Sequence, residues 1–215
     1  MEVEVRYRPV KYARLEIKPD GRIVVTAPRG FDVKKLVEKH SSWIEGKLAE
    51  IDELKKIANS GFPFKGEFYG VIRGTKAKVH EHFKTVTLPG DPTQMMRVLR
   101  KLLREEVGEL IGEYSERMDV RPAKVFIRDQ RTRWGSCSPQ GNLNFNVRLI
   151  SVPPDLLRYV VVHELAHLKY LDHSKAFWNL VGRFYPEYKR AREELKRWWT
   201  IIELNNYWKW LEGRP

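Results

Sequence analysis

Cysteine is almost missing from this chain: Cys137 is the one cysteine in 215 residues. A lone thiol excludes an internal disulfide framework. A chain of this length needs none, because it can bury about 70% of the surface its unfolded form exposes. Long apolar runs are also lacking. No stretch approaches the roughly 20 residues of a membrane-spanning helix, and the first residues are charged instead of forming a signal peptide. These absences lead to the expectation of a cytoplasmic protein with no membrane association. A phosphate loop is absent too, since Gly70-Val71-Ile72-Arg73-Gly74-Thr75-Lys76 does not have the G-x-x-x-x-G-K-[ST] spacing.

Positive charge is plentiful. The formal net charge is +12, which favours an anionic partner such as a nucleic acid or a phosphorylated ligand. Charge asymmetry speaks to association and not to chemistry. Charged residues make up 32% of the chain, above the usual value of about 25%, in the direction of adaptation to heat.

The patterning predicts an α+β protein with a strand-rich N-terminal region that carries one long helix, residues 1–90, and a second domain of helices and strands, residues 91–215. Residues 2–27 alternate like an antiparallel meander, with Asp20-Gly21 as the hairpin turn. From Asp32 the period becomes helical through Leu36, His40, Trp43, Ile44, Leu48, Ile51 and Leu54, placing His40 on an apolar stripe as a packed residue. Residues 64–88 return to short strands, with His80 and His82 on one face. Asp91-Pro92 opens a long helix whose buried stripe is Met96, Leu99, Leu103, Val107, Leu110, Tyr114 and Met118. Strands follow at 124–128 and 142–150. The second has Leu143, Phe145 and Val147 on one face and Asn142, Asn144, Asn146 and Arg148 on the other, so its polar face is a candidate cleft wall.

The chemistry is concentrated in Val161-Val162-His163-Glu164-Leu165-Ala166-His167-Leu168. Two histidines four apart on a helix stand one turn above the other, so both imidazoles reach one metal ion. Glu164 is then placed to take a proton from activated water without ligating the metal. This H-E-x-x-H pattern sits in a run apolar enough for burial, where unpaired ionisable groups are costly. His173 follows six residues after His167 and is the expected third ligand; Glu187, Glu193 and Glu194 compete for that role. The metzincin glycine position holds Tyr170, and no methionine follows the helix, which argues against a metzincin. Cys137 is expected to act as a small buried hydrophobe. Arg121, Lys124, Arg128, Arg131 and Arg133 form the densest basic stretch before the helix.

Arg133-Trp134-Gly135-Ser136-Cys137-Ser138, Asn146-Val147-Arg148-Leu149-Ile150, His163-Glu164-Leu165-Ala166-His167, His173-Ser174 and Phe177-Trp178 together resemble the YgjP-like family of predicted metal-dependent hydrolases. The resemblance implies that residues 91–215 are a zincin-like catalytic domain related to SprT-like and other minimal zinc metallopeptidases. It also implies Zn2+ ligands at His163, His167 and His173 and a general base at Glu164. The expected activity is zinc-dependent peptide hydrolysis through activated water, with Asn146, Arg148 and Tyr170 as candidate stabilisers of developing negative charge. Bacterial relatives have also been described as nucleotide pyrophosphohydrolases, so nucleoside triphosphates are the alternative substrate. A non-catalytic nucleic-acid binder on a zincin fold is the remaining alternative. Convergence of Arg121, Arg128, Arg131 and Arg133 on the metal cleft would favour the nucleotide.

Overall fold

Short alternating segments in the first thirty residues produce three strands in the computed structural model, which describes residues 2–213. They are β1 (Val3–Tyr7), β2 (Arg14–Ile17) and β3 (Ile23–Ala27), in the order β1-β3-β2. Gly21, at φ +93°, makes the turn that sets β2 antiparallel to β3, with Leu15 opposite Val25. β1 departs from the expected meander by running parallel to β3, with Val5 opposite Val25. Ile23, Val24 and Val25 are all buried, so β3 takes the central place, and residues 8–13 carry the chain from one of its edges to the other. Alternation alone does not specify which strands pair.

The helical stretch that follows is two helices. α1 (Val33–Lys39) is capped by the Asp32 side chain, which accepts from the Lys35 amide at 2.9 Å. α2 (Ser41–Ala58) starts after His40, whose φ of −109° and ψ of 14° interrupt the helix. His40 is therefore exposed and not packed. α1 buries no residue, whereas α2 buries Ile44, Ile51, Leu54 and Ala58, so packing holds only the second segment to its axis.

β4 (Phe62–Phe64), β5 (Glu67–Arg73), β6 (Lys78–His80) and β7 (Thr85–Leu88) form a sheet of order β4-β5-β7-β6. β6 ends at His80 and a 3-10 turn covers Glu81–Phe83, so His80 and His82 do not share a strand face. His80 instead meets Thr87 Oγ1 at 3.1 Å. α3 (Pro92–Met118) starts at an Asp91 cap and buries the expected stripe, except that Leu110 is only half-buried and Met95 joins it.

β8 (Lys124–Arg128), β9 (Gly135–Cys137) and β10 (Asn142–Asn146) form the third sheet, with β10 parallel to β8 and antiparallel to β9. β9 is thus an edge strand. β10 stops at Asn146, where a strand to Ile150 was expected. The Asn146 side-chain oxygen accepts from the Arg148 amide at 3.1 Å and turns the chain into a buried 3-10 turn, Val147–Ser151. α4 (Pro154–Ala166), α5 (Lys175–Phe184), α6 (Tyr188–Leu204) and α7 (Asn206–Leu211) complete the α+β fold.

One core cluster runs from Phe62 to Leu211 and takes in β4, β7, α3, α4 and β10. A second joins Ile51, Leu54 and Ala58 of α2 to Ile201 and Leu204 of α6, with Ile17 of β2 packed against it. The buried Asn205 amide donates to the carbonyls of Ala58 and Gly61, tying the end of α2 to the C-terminal helices. No helix of the described residues is long and apolar enough to cross a membrane.

Candidate active site

α4 is anchored by its apolar side, with Leu157, Val160, Val161 and Leu165 in the main core. The helical period then leaves His163 and His167 on one face with their rings 4.9 Å apart. α4 ends at Ala166, and His167 begins a tight turn in which its Nδ1 meets the Tyr170 carbonyl at 2.9 Å. The chain re-enters a helix at Ser174, whose side-chain oxygen caps α5 by accepting from the Phe177 amide at 3.4 Å. His173, immediately before that cap, is carried back so that its Nε2 lies 3.2 Å from His163 Nε2.

The ligand atoms of His163, His167 and His173 all lie within 4.8 Å of one another. Two imidazole nitrogens bound tetrahedrally to one zinc stand roughly 3.3 Å apart, given Zn–N bonds of about 2.0–2.1 Å. The His163–His173 spacing already fits that edge. Backing groups lie behind two of the rings: Nδ1–H of His167 donates to the Tyr170 carbonyl, and the Tyr159 hydroxyl lies 3.3 Å from Nδ1 of His163. Because a carbonyl only accepts, the first bond leaves Nε2 of His167 as the lone-pair donor, and the Tyr159 hydroxyl is placed to accept from His163 Nδ1–H in the same way. Phe177 forms the floor, with its ring 4.9, 4.4 and 4.9 Å from those of His163, His167 and His173. Burial, reinforced by His167, His173 and Arg192, pushes the His163 pKa down to about 3, and burial also lowers that of His167. Both rings are neutral at pH 7, as metal ligands must be. The site therefore fits a metal ion. Among the described residues no carboxylate joins this cluster: Glu193 pairs with Lys196, Glu194 pairs with Arg190, and Glu187 lines a separate cavity.

Glu164 is 4% exposed, and its Oε2 has no hydrogen-bond partner among the described residues. Burial raises its pKa to about 8, with Arg133 opposing the shift. The edge strand lies directly against it. A Cβ on Gly135 would come within 2.5 Å of Glu164 Oε1 and 2.8 Å of its Cγ, so the close approach of β9 to α4 requires glycine there.

Two cavities meet at His163 and Glu164. The smaller, about 440 Å³, includes Thr132, Ser136, Cys137, His167 and His173; the larger, about 780 Å³, reaches from Tyr159 to Lys18 on one side and Arg192 on the other. Of the basic residues proposed to converge here, Arg131 and Arg133 line the larger cavity. Arg121 lines a separate cavity at the end of α3, and Arg128 stacks on Phe126 at 4.7 Å.

The candidate charge stabilisers fare differently. Arg148 is 1% exposed; its Nε and Nη2 donate to Glu212 at 2.7 and 2.8 Å, and it also pairs with Glu203. Asn146 is fully buried and donates to the carbonyls of Gln130 and Arg133. Neither lines the two cavities at the histidines, because the turn after Asn146 drives both side chains into the protein interior. Tyr170 enters the site through its carbonyl. Cys137 is half-buried on β9 and packs against the main core, and burial, then Glu164, raises its pKa.

Sequence reasoning overlooked Tyr159, Gly135 as the contact of Glu164, and Arg192. Tyr159 had a signal, lying four residues before His163 on the same helix face. Gly135 had none beyond its place in a turn. Arg192 lies on α6, and nothing local ties it to His163.

Residues 11–198 match the family described as YgjP-like, metallopeptidase domain. A UTP pyrophosphatase of Escherichia coli (strain K12) is 41% identical over 54 residues, which span 25% of this chain and only 32% of that protein. Among solved structures, the crystal structure of the metallopeptidase zymogen of Pyrococcus abyssi abylysin matches at 26% identity with a TM-score of 0.40, covering 46% of this chain and 97% of that one. Because the family match runs from before β2 into α6 and takes in all three clustered histidines, the chain belongs to the YgjP-like metallopeptidase-domain family of metal-dependent hydrolases.

Proposed function

We propose that the protein is a zinc-dependent peptidase, with His163, His167 and His173 holding the metal and Glu164 acting as general base. The observation that carries this reading is a buried carboxyl, one oxygen of which has no partner among the described residues, beside three imidazoles whose ligand atoms lie within 4.8 Å of one another. Three nitrogen donors suit zinc and leave a fourth position open. Zinc bound there supplies Lewis acidity, polarising a substrate carbonyl and lowering the pKa of water to roughly 7. Glu164 takes a proton from the attacking water and returns it to the leaving amine. The tyrosines act through the histidines: Tyr159 orients His163 with its hydroxyl, and Tyr170 orients His167 with its carbonyl. Among the described residues β9 pairs with β10 alone, so its other edge is available to pair with an extended peptide laid along the cleft.

The test is turnover of zinc-loaded protein against a panel of unfolded proteins and a panel of nucleoside triphosphates, with Glu164→Gln beside it. The peptidase reading expects peptide cleavage that the variant loses while keeping its zinc. His173→Ala should lower zinc occupancy, and full retention would remove His173 from the ligand set. A second reading, hydrolysis of a nucleotide phosphoanhydride, draws support from Arg131 and Arg133 at the cavity and from the similarity to a UTP pyrophosphatase over 54 residues. Glu164-dependent triphosphate hydrolysis without peptide cleavage would establish it instead.

A further inference from the structure

We propose that the larger cavity is a subsite for acidic side chains of the peptide substrate, with Arg131, Arg133 and Arg192 as its anion-binding groups. The proposal rests on the peptidase reading above and specifies which peptides that site takes. The cavity, about 780 Å³, starts at His163 and Glu164, so a side chain bound in it lies next to the bond being cut. Its charged lining is one-sided. Lys18, Arg131, Arg133, Arg192 and Lys196 face it, against Glu16 and Glu164 alone.

Two of those cations are already neutralised, Lys18 by Glu16 at 2.9 Å and Lys196 by Glu193 at 2.8 Å. The three arginines have no carboxylate within ion-pair distance among the described residues, whereas Arg117, Arg158 and Arg190 each have one and Arg148 has two. They come from two separate parts of the chain, the segment before β9 and α6. Arg192 is also held in place by stacking on Trp178 at 4.8 Å. Bringing like charges to one cleft costs electrostatic energy that an anionic ligand offsets, and such a cleft concentrates anions. The apolar part of the lining completes the fit. Trp134 and Trp199 meet edge to face at 4.9 Å beside Leu195, giving a surface for the methylenes of Glu or Asp.

A peptide side chain fits better than a nucleotide for two reasons. The cavity includes Gly135, the first residue of edge strand β9, so a peptide paired with that edge directs alternate side chains towards it. The cationic groups are arginine side chains on separate elements, without the glycine-rich backbone cradle that typically wraps a polyphosphate.

The test uses the full zinc-loaded chain and matched peptides that carry Glu or Gln, or Asp or Asn, on either side of the scissile bond. Acidic peptides should be cleaved with a kcat/KM roughly 10- to 100-fold above their amide isosteres, the range for one charge-assisted contact. That ratio should collapse towards one in Arg133→Gln and Arg192→Gln and persist in Arg121→Gln, which removes the same charge outside the cavity. Binding to zinc-loaded Glu164→Gln, followed through tryptophan fluorescence, should show the same preference without turnover. Equal cleavage and equal binding of acidic and amide peptides would overturn the subsite while leaving the peptidase reading intact. Collapse of the ratio in Arg121→Gln would also overturn it, since bulk charge would then be the cause. Absence of any peptide cleavage, with UTP hydrolysed in an Arg133-dependent manner, would remove the peptidase reading and this subsite together.

Discussion

Gly135→Ala tests the geometry of the general base without touching a metal ligand. A Cβ there meets Glu164 at Oε1, Cδ and Cγ, at 2.5, 2.8 and 2.8 Å. Ordinary contacts of this kind are about 3.5–4 Å, so relief requires a movement on the order of 1 Å. Swinging the carboxyl end alone does not suffice, because Cγ is also struck. Glu164 is 4% exposed and has little room to yield, so either its side chain changes rotamer or β9 shifts off α4. Displacing a catalytic group by about 1 Å can cost on the order of 10²-fold in rate. Overpacking adds a destabilisation of about 1–3 kcal/mol, partly offset by the roughly 0.4–1 kcal/mol that alanine gains by restricting the unfolded chain. The assay is kcat/KM on a cleaved substrate, with zinc stoichiometry and a urea melt on the same preparation. The expected result is a turnover loss near 10²-fold with one zinc per chain retained. A double-mutant cycle with Glu164→Gln makes this specific, since the alanine should cost almost nothing once the base is gone. Turnover within threefold of the parent, or full additivity in the cycle, would refute the reasoning.

Other expectations follow from the same contacts. Tyr159→Phe removes the hydroxyl facing His163 Nδ1 and should weaken zinc binding by about 10- to 100-fold in a chelator competition; unchanged affinity would show that the hydroxyl does not orient the ring. Arg148→Met removes a buried guanidinium that donates to both Glu212 and Glu203, and should cost about 3–5 kcal/mol in urea denaturation. Turnover per folded molecule should change little, and a kcat loss without a stability loss would return Arg148 to the chemistry. In chelator-treated protein, the Glu164 pKa of about 8 against its ordinary 4.5 makes folding favour the protonated form. Its contribution is therefore complete below about pH 4.5 and is lost as pH rises towards 8, by about 3–5 kcal/mol. His163, with its pKa lowered to about 3, acts in the opposite direction below its ordinary 6.5. The difference between parent and Glu164→Gln melts from pH 5 to 8 isolates the glutamate, and parallel curves would contradict the burial argument.

Features written in short-range periodicity were legible without a structure. The i, i+4 spacing of His163 and His167 needs only a helix to bring two imidazoles together, and the apolar run around them ensures that α4 is buried. The stripe of α3, its Asp91-Pro92 start and the hairpin at Gly21 are similarly local, set by backbone sterics and side-chain period. His173 was legible by spacing, although its position depends on the turn at Tyr170 and the cap at Ser174. Long-range closure decided the rest. Alternation allowed Arg148 to be a cleft residue, but the Asn146 turn and two glutamates more than fifty residues away made it an interior ion pair. The pattern of β1 was equally compatible with a meander, and its parallel pairing with β3 is a long-range feature that alternation does not specify. His40 lay on an apolar period that α1 had no surface to pack against. Arg133 and Arg192 share a cavity because β9 and α6 both pack on α4, and Lys18 reaches it from the end of β2, which contacts α2 where α2 packs on α6. Local sequence determined the reactive groups through backbone periodicity. Which cations surround them was decided by tertiary packing, because contacts across that separation depend on every intervening element.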